Sequence, residues 1–283
     1  MFSHNEQKGT GIKMATIWDE TKLQASKMKG RPFKEKVQYF WEYYRIATAV
    51  VICVLAIVIS LIHAAVTAKD YALSVLMVNS LGESFHEVVE GYESDLTELM
   101  DFNTKKYEVS IDDSLSMGTD NVSADIEYAT MQKLAAMVSS KSADLFIANT
   151  SVFEQYSQNE YLMDLRTIYT EDELAQYSDI IYYSDAATYS DYELTSATES
   201  GADKQRRYNI DHHDPSSMKD PVPCGFFLSG NSPIAKAELY SYFNDTDTFQ
   251  GYKETGIIGV FVNTPRTAES RIGLDYFIGA TGR

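Results

Sequence analysis

The stretch ADLFIANTSVFEQYSQNEYLMDL, Ala143–Leu165, decides the fold. Asp144 to Ala148 is an apolar run behind one carboxylate, the pattern of a short strand buried on both faces. Asn149 and Thr150 break the run, and Ser151 to Gln158 begins a helix. Upstream the same alternation occurs twice. Residues 71–79, YALSVLMVN, are nearly continuously apolar, and Ser80-Leu81-Gly82 is a turn. Phe85, Val88, Val89, Tyr92, Leu96 and Leu99 then recur at helical spacing, with an acidic outer face. Tyr107 to Asp112 is a short strand. After Ser114 to Gly118, Asn121 opens a helix with Val122, Ile126, Met131, Leu134, Ala135 and Val138 on one side. The order is β-α-β-α-β-α. Strands joined by crossovers of this length are parallel, and the crossovers are expected to be right-handed.

Downstream, Thr170-Glu-Asp-Glu173 carries a capping-box signature. Residues 184–220 are polar and read as an excursion or a small second lobe. Pro221 to Ser229 returns to strand character. Ser232-Pro233 is an N-cap and N1 pair opening a helix to about Phe243. Gly256 to Val262 is another strand, and Thr267 to Ile278 a closing helix with Ile272, Leu274, Phe277 and Ile278 apolar.

Toward the amino terminus the patterning changes. Ile46 to Ala68 holds no charged residue in 23 positions. At about 1.5 Å per residue it spans roughly 34 Å, enough for a hydrocarbon core of about 30 Å. Residues 1–45 carry nine Lys or Arg and five Asp or Glu, a net +4, whereas residues 69–283 sum to −21. The positive-inside rule places the amino terminus in the cytoplasm and the large part outside. The expected organisation is therefore a cytoplasmic segment (1–45), a transmembrane helix (46–68) in contact with the lipid bilayer, and an exported domain (69–283). Residues 1–30 read as mobile, and Met14 opens a plausible shorter chain. Within residues 32–45, Lys34, Lys36 and Arg45 flank Phe40, Trp41, Tyr43 and Tyr44. That suits a membrane-interface anchor, with a docking helix for a cytoplasmic partner as the alternative. Cleavage after Ala65 or Ala68 would instead make the run a signal.

The chain's 283 residues, 44% hydrophobic and 23% charged, exclude wholesale disorder. A net charge of −17 excludes a general nucleic-acid binder, which needs clustered Lys and Arg. Cys53 falls mid-membrane and Cys224 outside, so the two cannot pair. Asp211-His-His-Asp214 is the densest potential metal cluster, but adjacent histidines diverge and no HxxxH or HExxH spacing occurs. There is no GxSxG, GxGxxG or P-loop. Neither an enzyme, a metal site nor a cofactor is expected. Tyr182, Tyr183, Tyr189 and Tyr192 are candidates to stack on a sugar or cradle a cation, or else ordinary half-buried residues.

Two segments carry a family resemblance. Ala143–Leu165, preceded by the helix face Gln132-Lys-Leu-Ala-Ala-Met137, resembles the end of the first βαβαβ half of type 2 periplasmic-type solute-binding proteins. Gly256-Ile-Ile-Gly-Val-Phe-Val-Asn263, followed by Thr264-Pro265 and a helix with Leu274-Asp-Tyr-Phe277, is similar to their close. The likeness covers roughly residues 71–170 and 221–280. It implies a two-lobed α/β domain whose second lobe is reduced, since residues 69–283 are few for a full binder. The chain departs from the family in its anchor, a transmembrane helix where a lipid is usual, an arrangement familiar from single-span proteins of Gram-positive bacteria whose function is uncharacterised. A ligand in such a fold sits beyond the carboxyl ends of the strands. The positions falling there are Asn79, Ser80, Ser114, Ser116, Asn149, Thr150, Ser229, Asn231 and Ser232. The same residue types also gather at strand ends as turn and cap residues. Two functions follow as expectations. One is a membrane-tethered extracellular solute-binding or solute-sensing protein, taking a small-molecule ligand and serving a transporter or another membrane protein. The other is an anchored interaction or scaffold module of an envelope complex, with the same fold and no ligand.

Overall fold

The computed structural model describes residues 32–81, 86–118, 122–187, 210–240 and 256–280, with Ser26 and Gly30. The chain divides into two units, Met1–Ala68 and Lys69–Arg283. In the first, one helix, α1, runs unbroken over Phe33–Thr67. Its window Arg45–Ala64 is long and apolar enough to cross a membrane, and none of it is buried within the protein. At about 1.5 Å per residue the 35-residue helix is roughly 52 Å long, more than a hydrocarbon core requires. Near its end the Thr67 hydroxyl donates to the His63 carbonyl at 2.7 Å, so that side chain brings no unpaired donor into the apolar run. The rest of the segment expected to be mobile, residues 1–25, lies outside the described residues, and Gly82, Phe85 and Asn121 also do.

The second unit is a six-stranded sheet covered by helices on both faces. Its strands are β1 (Asp70–Val78), β2 (Tyr107–Leu115), β3 (Leu145–Ala148), β4 (Ile181–Asp185), β5 (Pro221–Phe227) and β6 (Ile257–Val260). Their spatial order is β2-β1-β3-β6-β5-β4. β1 pairs parallel with β2 and with β3, as the crossover lengths require. β6 enters antiparallel between β3 and β5, and β4 pairs antiparallel with β5. The helices are α2 (His86–Leu99), α3 (Ala124–Ser139), α4 (Thr150–Gln158), α5 (Glu171–Ala175), α6 (Pro233–Lys236) and α7 (Thr267–Phe277).

Alternate side chains of β1 explain its continuous apolar run. Leu73, Val75 and Met77 join Val89, Tyr92 and Leu96 of α2 and Leu274 and Phe277 of α7 in one core. Leu76 and Val78 join Leu134 and Val138 of α3 and Val152 and Phe153 of α4 on the other face. The glycines of β5 and β6 mark a close approach. A Cβ at Gly225 would lie 2.5 Å from the Phe153 ring, and one at Gly259 would lie 2.8 Å from the Cys224 carbonyl oxygen. These two positions leave a notch that the aromatic ring fills.

Asp144, with no exposed surface, ties three segments together just before β3. Its carboxylate accepts from the Ser74 backbone N–H at 2.8 Å, from the Thr264 hydroxyl and from Arg266 Nε at 2.8 Å. Its own backbone donates to Ser74 O at 3.0 Å and accepts from Phe261 N at 2.9 Å.

Several expectations are corrected. Leu99 is exposed and Met100 takes the buried place, because the helix phase turns Leu99 outward. In α3 only Thr130, Leu134 and Val138 reach the sheet side, while Ile126, Met131 and Ala135 are exposed. β2 runs to Leu115, so Ser114 lies within the strand and not after it. β4 was not expected as a strand. Its Tyr182 is fully buried, stacked on His212 with centroids 4.4 Å apart, and cannot stack on a solute. The segment 211–220 straps the outer edge of β4. Tyr183 N donates to His212 O at 3.0 Å, and Asp220 N donates to Asp185 Oδ1 at 2.9 Å. An edge strand so covered offers few unpaired groups to another chain. The capping box at Thr170 and Glu173 is present. The reduced second lobe, and Tyr189 and Tyr192 with it, were expected within residues 184–220, and residues 188–209 lie outside the described residues. The end of the helix expected to reach Phe243 also lies outside them, and its described part is Pro233–Lys236.

Removing one member of a buried ion pair leaves the other uncompensated, at about 3–5 kcal/mol. Asp144→Ala is therefore expected to lower stability by that amount, and Thr264→Val by about 1–3 kcal/mol, because the hydroxyl both donates to Asp144 and accepts from the Arg266 N–H at 3.0 Å. Urea unfolding of the detergent-solubilised chain measures both, and equal midpoints for wild type and Asp144→Ala would remove the knot from the account. By the same assay Gly225→Ala, which overpacks the notch, is expected to cost about 1–3 kcal/mol.

Candidate functional site

β1, β2, β3 and β5 end on the same side of the sheet, because β5 is separated from β3 by one antiparallel strand. The chain leaves β1 toward β2 on one side, and β3 lies on the other. This is a topological switch point, the place where open α/β sheets hold ligands beyond their carboxyl ends. The nine residues singled out in the sequence all lie at or beside this edge.

Two of them meet. Asn79 Nδ2 donates to Asn149 Oδ1 at 2.9 Å, which closes the gap between the ends of β1 and β3. The same carboxamide pairs with the backbone of Met117, donating to its carbonyl at 2.8 Å and accepting from its N–H at 2.9 Å. Asn79 thus acts as an extra ladder rung beyond β2. It has φ 60°, a left-handed conformation that asparagine tolerates better than most residues. Asn149 occupies the N-cap position of α4 without capping it. Its Nδ2 donates to Ser151 Oγ at 2.8 Å. Both asparagines are buried.

The other positions divide by role. Ser80 Oγ donates to the Asp113 carbonyl at 3.5 Å, beside the end of β2. Ser114 is exposed and donates through Oγ to Asp112 Oδ1 at 2.7 Å. Ser116 is partly buried, with its N–H 3.4 Å from Thr130 Oγ1. Thr150 opens α4 and is partly exposed. Ser229, Asn231 and Ser232 form a separate turn across β6. Ser232 is fully buried and caps α6 through Ala235 N, so it serves the helix and not a solute. Ser229 and Asn231 are exposed. The Asn231 backbone fits against Gly279, where a Cβ would come within 2.6 Å of its carbonyl oxygen. Tyr240 roofs the same side, donating to the Ile147 carbonyl at 3.2 Å.

The edge is acidic at β2. Burial pushes the Asp112 carboxyl upward, but hydrogen bonds from Lys133 and Ser114 and the Lys133 charge outweigh it and hold it below its ordinary value. Among the described residues Asp113 Oδ2 is buried without a hydrogen-bond partner, with His86 Nδ1 4.0 Å away. Such a mouth disfavours anions.

Two groups singled out for chemistry are placed elsewhere. His212 and His213 turn to different neighbours. His212 packs on Tyr182 with Nδ1 2.8 Å from the Tyr183 carbonyl, and His213 stacks on Phe227 at 3.9 Å. Among the described residues no three His, Cys, Asp or Glu side chains form a group able to hold a metal. Burial pushes the Cys224 thiol well above its ordinary value, which disfavours the thiolate a nucleophile requires. What the sequence did not reveal at the edge is Met117, because it contributes only backbone atoms, and Thr130, which approaches from the α3 core face.

No family model and no curated protein matches the sequence. Among solved structures, an ABC substrate-binding protein from Listeria monocytogenes, solved in complex with cycloalternan, is similar over 76% of this chain and 76% of that chain, at 12% identity and a TM-score of 0.32.

Proposed function

We propose that this chain is a membrane-tethered, extracellular solute-binding or solute-sensing protein, serving a transporter or another membrane protein. The observation that carries the reading is the switch point between β1 and β3, with polar turns from β1, β2, β3 and β5 on one edge. Ser116, Thr150, Ser229 and Asn231 are the edge residues placed to meet a solute, and Asn79 and Asn149 hold the strand ends in register. The acidic mouth of β2 favours a neutral or cationic solute over an oxyanion. The tether is α1, with the basic 1–45 segment inside and the acidic 69–283 unit outside. A solute bridging this edge and a second, reduced lobe would favour closure.

One observation favours a second reading. The Asn79–Asn149–Met117 clasp fills the switch point with the protein's own hydrogen bonds. A fold that closes its own crevice suits an anchored interaction module of an envelope complex.

A thermal-shift screen of the full chain in detergent against amino acids, sugars, oxyanions and divalent cations separates the two. A solute at 100 times its Kd is expected to stabilise by about 2.7 kcal/mol, as a dose-dependent rise in Tm. Asn79→Ala is expected to reduce that shift and to cost about 1–3 kcal/mol by leaving buried polar groups unpaired. A flat screen on a chain that unfolds cooperatively would overturn the solute-binding reading in favour of the interaction module, whose partner a membrane cross-linking experiment would then identify.

A further inference from the structure

A second concave site starts from Met117, beside the carboxyl edge, and extends along two helices. Between α3 and α4 runs an open groove of about 340 Å³. That lies within the size range of small-molecule sites. Its α3 wall is mostly apolar, with Met131, Leu134, Ala135 and Val138 at helical spacing and Ser139 at its end. Its α4 wall carries Gln155, Tyr156 and Asn159, and Tyr161 stands next to Tyr156 with ring centroids 5.5 Å apart.

Three features set this groove apart from a merely imperfect helix contact. First, none of its lining residues is charged, on a chain of net charge −17. Second, the walls differ in kind, hydrocarbon and thioether on one side, phenol and carboxamide on the other. Third, among the described residues the Tyr156 and Tyr161 hydroxyls and the Gln155 carboxamide make no side-chain hydrogen bond to the protein, although neighbouring Gln158 and Asn159 both bond within α4. Burial, with Tyr161 alongside, pushes the Tyr156 hydroxyl up to about 12, so it stays a neutral donor and acceptor. A charged ligand would lose its hydration here without gaining a countercharge, at a cost that neutral hydrogen bonds do not recover. An uncharged ligand meets no such cost. Met131 is 47% exposed, and a methionine side chain adapts readily to an aryl or alkyl body.

We infer that the groove between α3 and α4 is a binding site for an uncharged amphipathic small molecule, its aryl or alkyl body against Met131, Leu134 and Val138 and its amide or hydroxyl end against Tyr156, Tyr161 and Gln155. The site shares Met117 with the carboxyl edge but none of the residues proposed there to meet a solute, and it does not depend on the solute-binding reading of that edge.

Three probes of one shape and different charge test it: 4-phenylbutanamide, 4-phenylbutanoate and 4-phenylbutylamine. The full chain in zwitterionic nanodiscs, labelled with ¹³C at the methionine methyls, reports binding through the Met131 resonance, assigned with Met131→Leu. The amide is expected to shift that resonance saturably, and both ions to bind at least tenfold more weakly. Ala135→Trp fills the groove from an exposed position and is expected to abolish the shift while leaving in place the resonances of methionines outside the groove, Met117 lining it and so excepted. Tyr156→Phe is expected to weaken the amide about three- to tenfold. No saturable shift at millimolar amide, equal binding of the three probes, or full binding by Ala135→Trp would each overturn the assignment.

Discussion

The sheet depends on one buried carboxylate. Asp144 stands immediately before β3, a strand of four residues, and has no exposed surface. It gathers Ser74 from β1, Thr264 and Arg266 from the turn after β6, and through its backbone Phe261 at the end of β6. Those contacts fix where an antiparallel strand enters a parallel one. Two parallel strands and a crossover specify their own order, but β6 arrives from more than 100 residues further along the chain. Its hydrophobic residues would fit any gap of the right width. The ion pair gives it a single register, because a slip of one residue would strand a buried charge.

The other end of β3 is held by neutral groups. Asn149 follows Ala148 and is tied to Asn79, which in turn extends the β1–β2 ladder to Met117. The short central strand is thus bracketed by a charged knot at its start and a carboxamide clasp at its finish. The difference in chemistry matters for function. A charged knot is costly to break and belongs at the closed end of the sheet. Neutral carboxamides exchange partners at a lower cost, about 0.5–1.5 kcal/mol per hydrogen bond. The switch-point edge is therefore the end of this sheet whose hydrogen bonds are exchanged at the lower cost.

Much of this was legible in the sequence. Apolar runs in β1 and β3 gave strands buried on both faces, and the crossovers gave parallel pairing. Gly225 and Gly259 stood inside strand-like runs, yet only the Phe153 ring shows why. The antiparallel direction of β6 was not readable, since direction depends on the Asp144 contacts and not on the strand's own residues. β4 escaped for a different reason. Its tyrosines read as surface aromatics, and what buries Tyr182 is His212, 30 positions away and itself part of a polar segment that looked like an excursion. At the edge, Asn79 and Asn149 stood out by type and position as ligand candidates, and their bond to each other was not readable. The division of labour among the nine residues was not, because a serine that caps a helix, as Ser232 does, and one that faces solvent, as Ser229 does, look alike in sequence.

α3 shows how an apparent failure of pattern reading carries information. Its apolar residues were more numerous than one buried stripe needs. A helix lying over a sheet presents about one residue in every four to the strands, and Thr130, Leu134 and Val138 are that stripe. Met131 and Ala135 lie one position further round, toward α4, where bulky side chains on both helices would have closed the space. Instead α4 offers Gln155 and Asn159 there, with Tyr156 half-buried between them. Two helices that meet only through their inner residues, and that set apolar groups opposite carboxamides on their outer flanks, do not stabilise each other along that line. Had packing alone selected these residues, the flanks would match in polarity. Their mismatch is the pattern expected where a third, amphipathic body completes the contact.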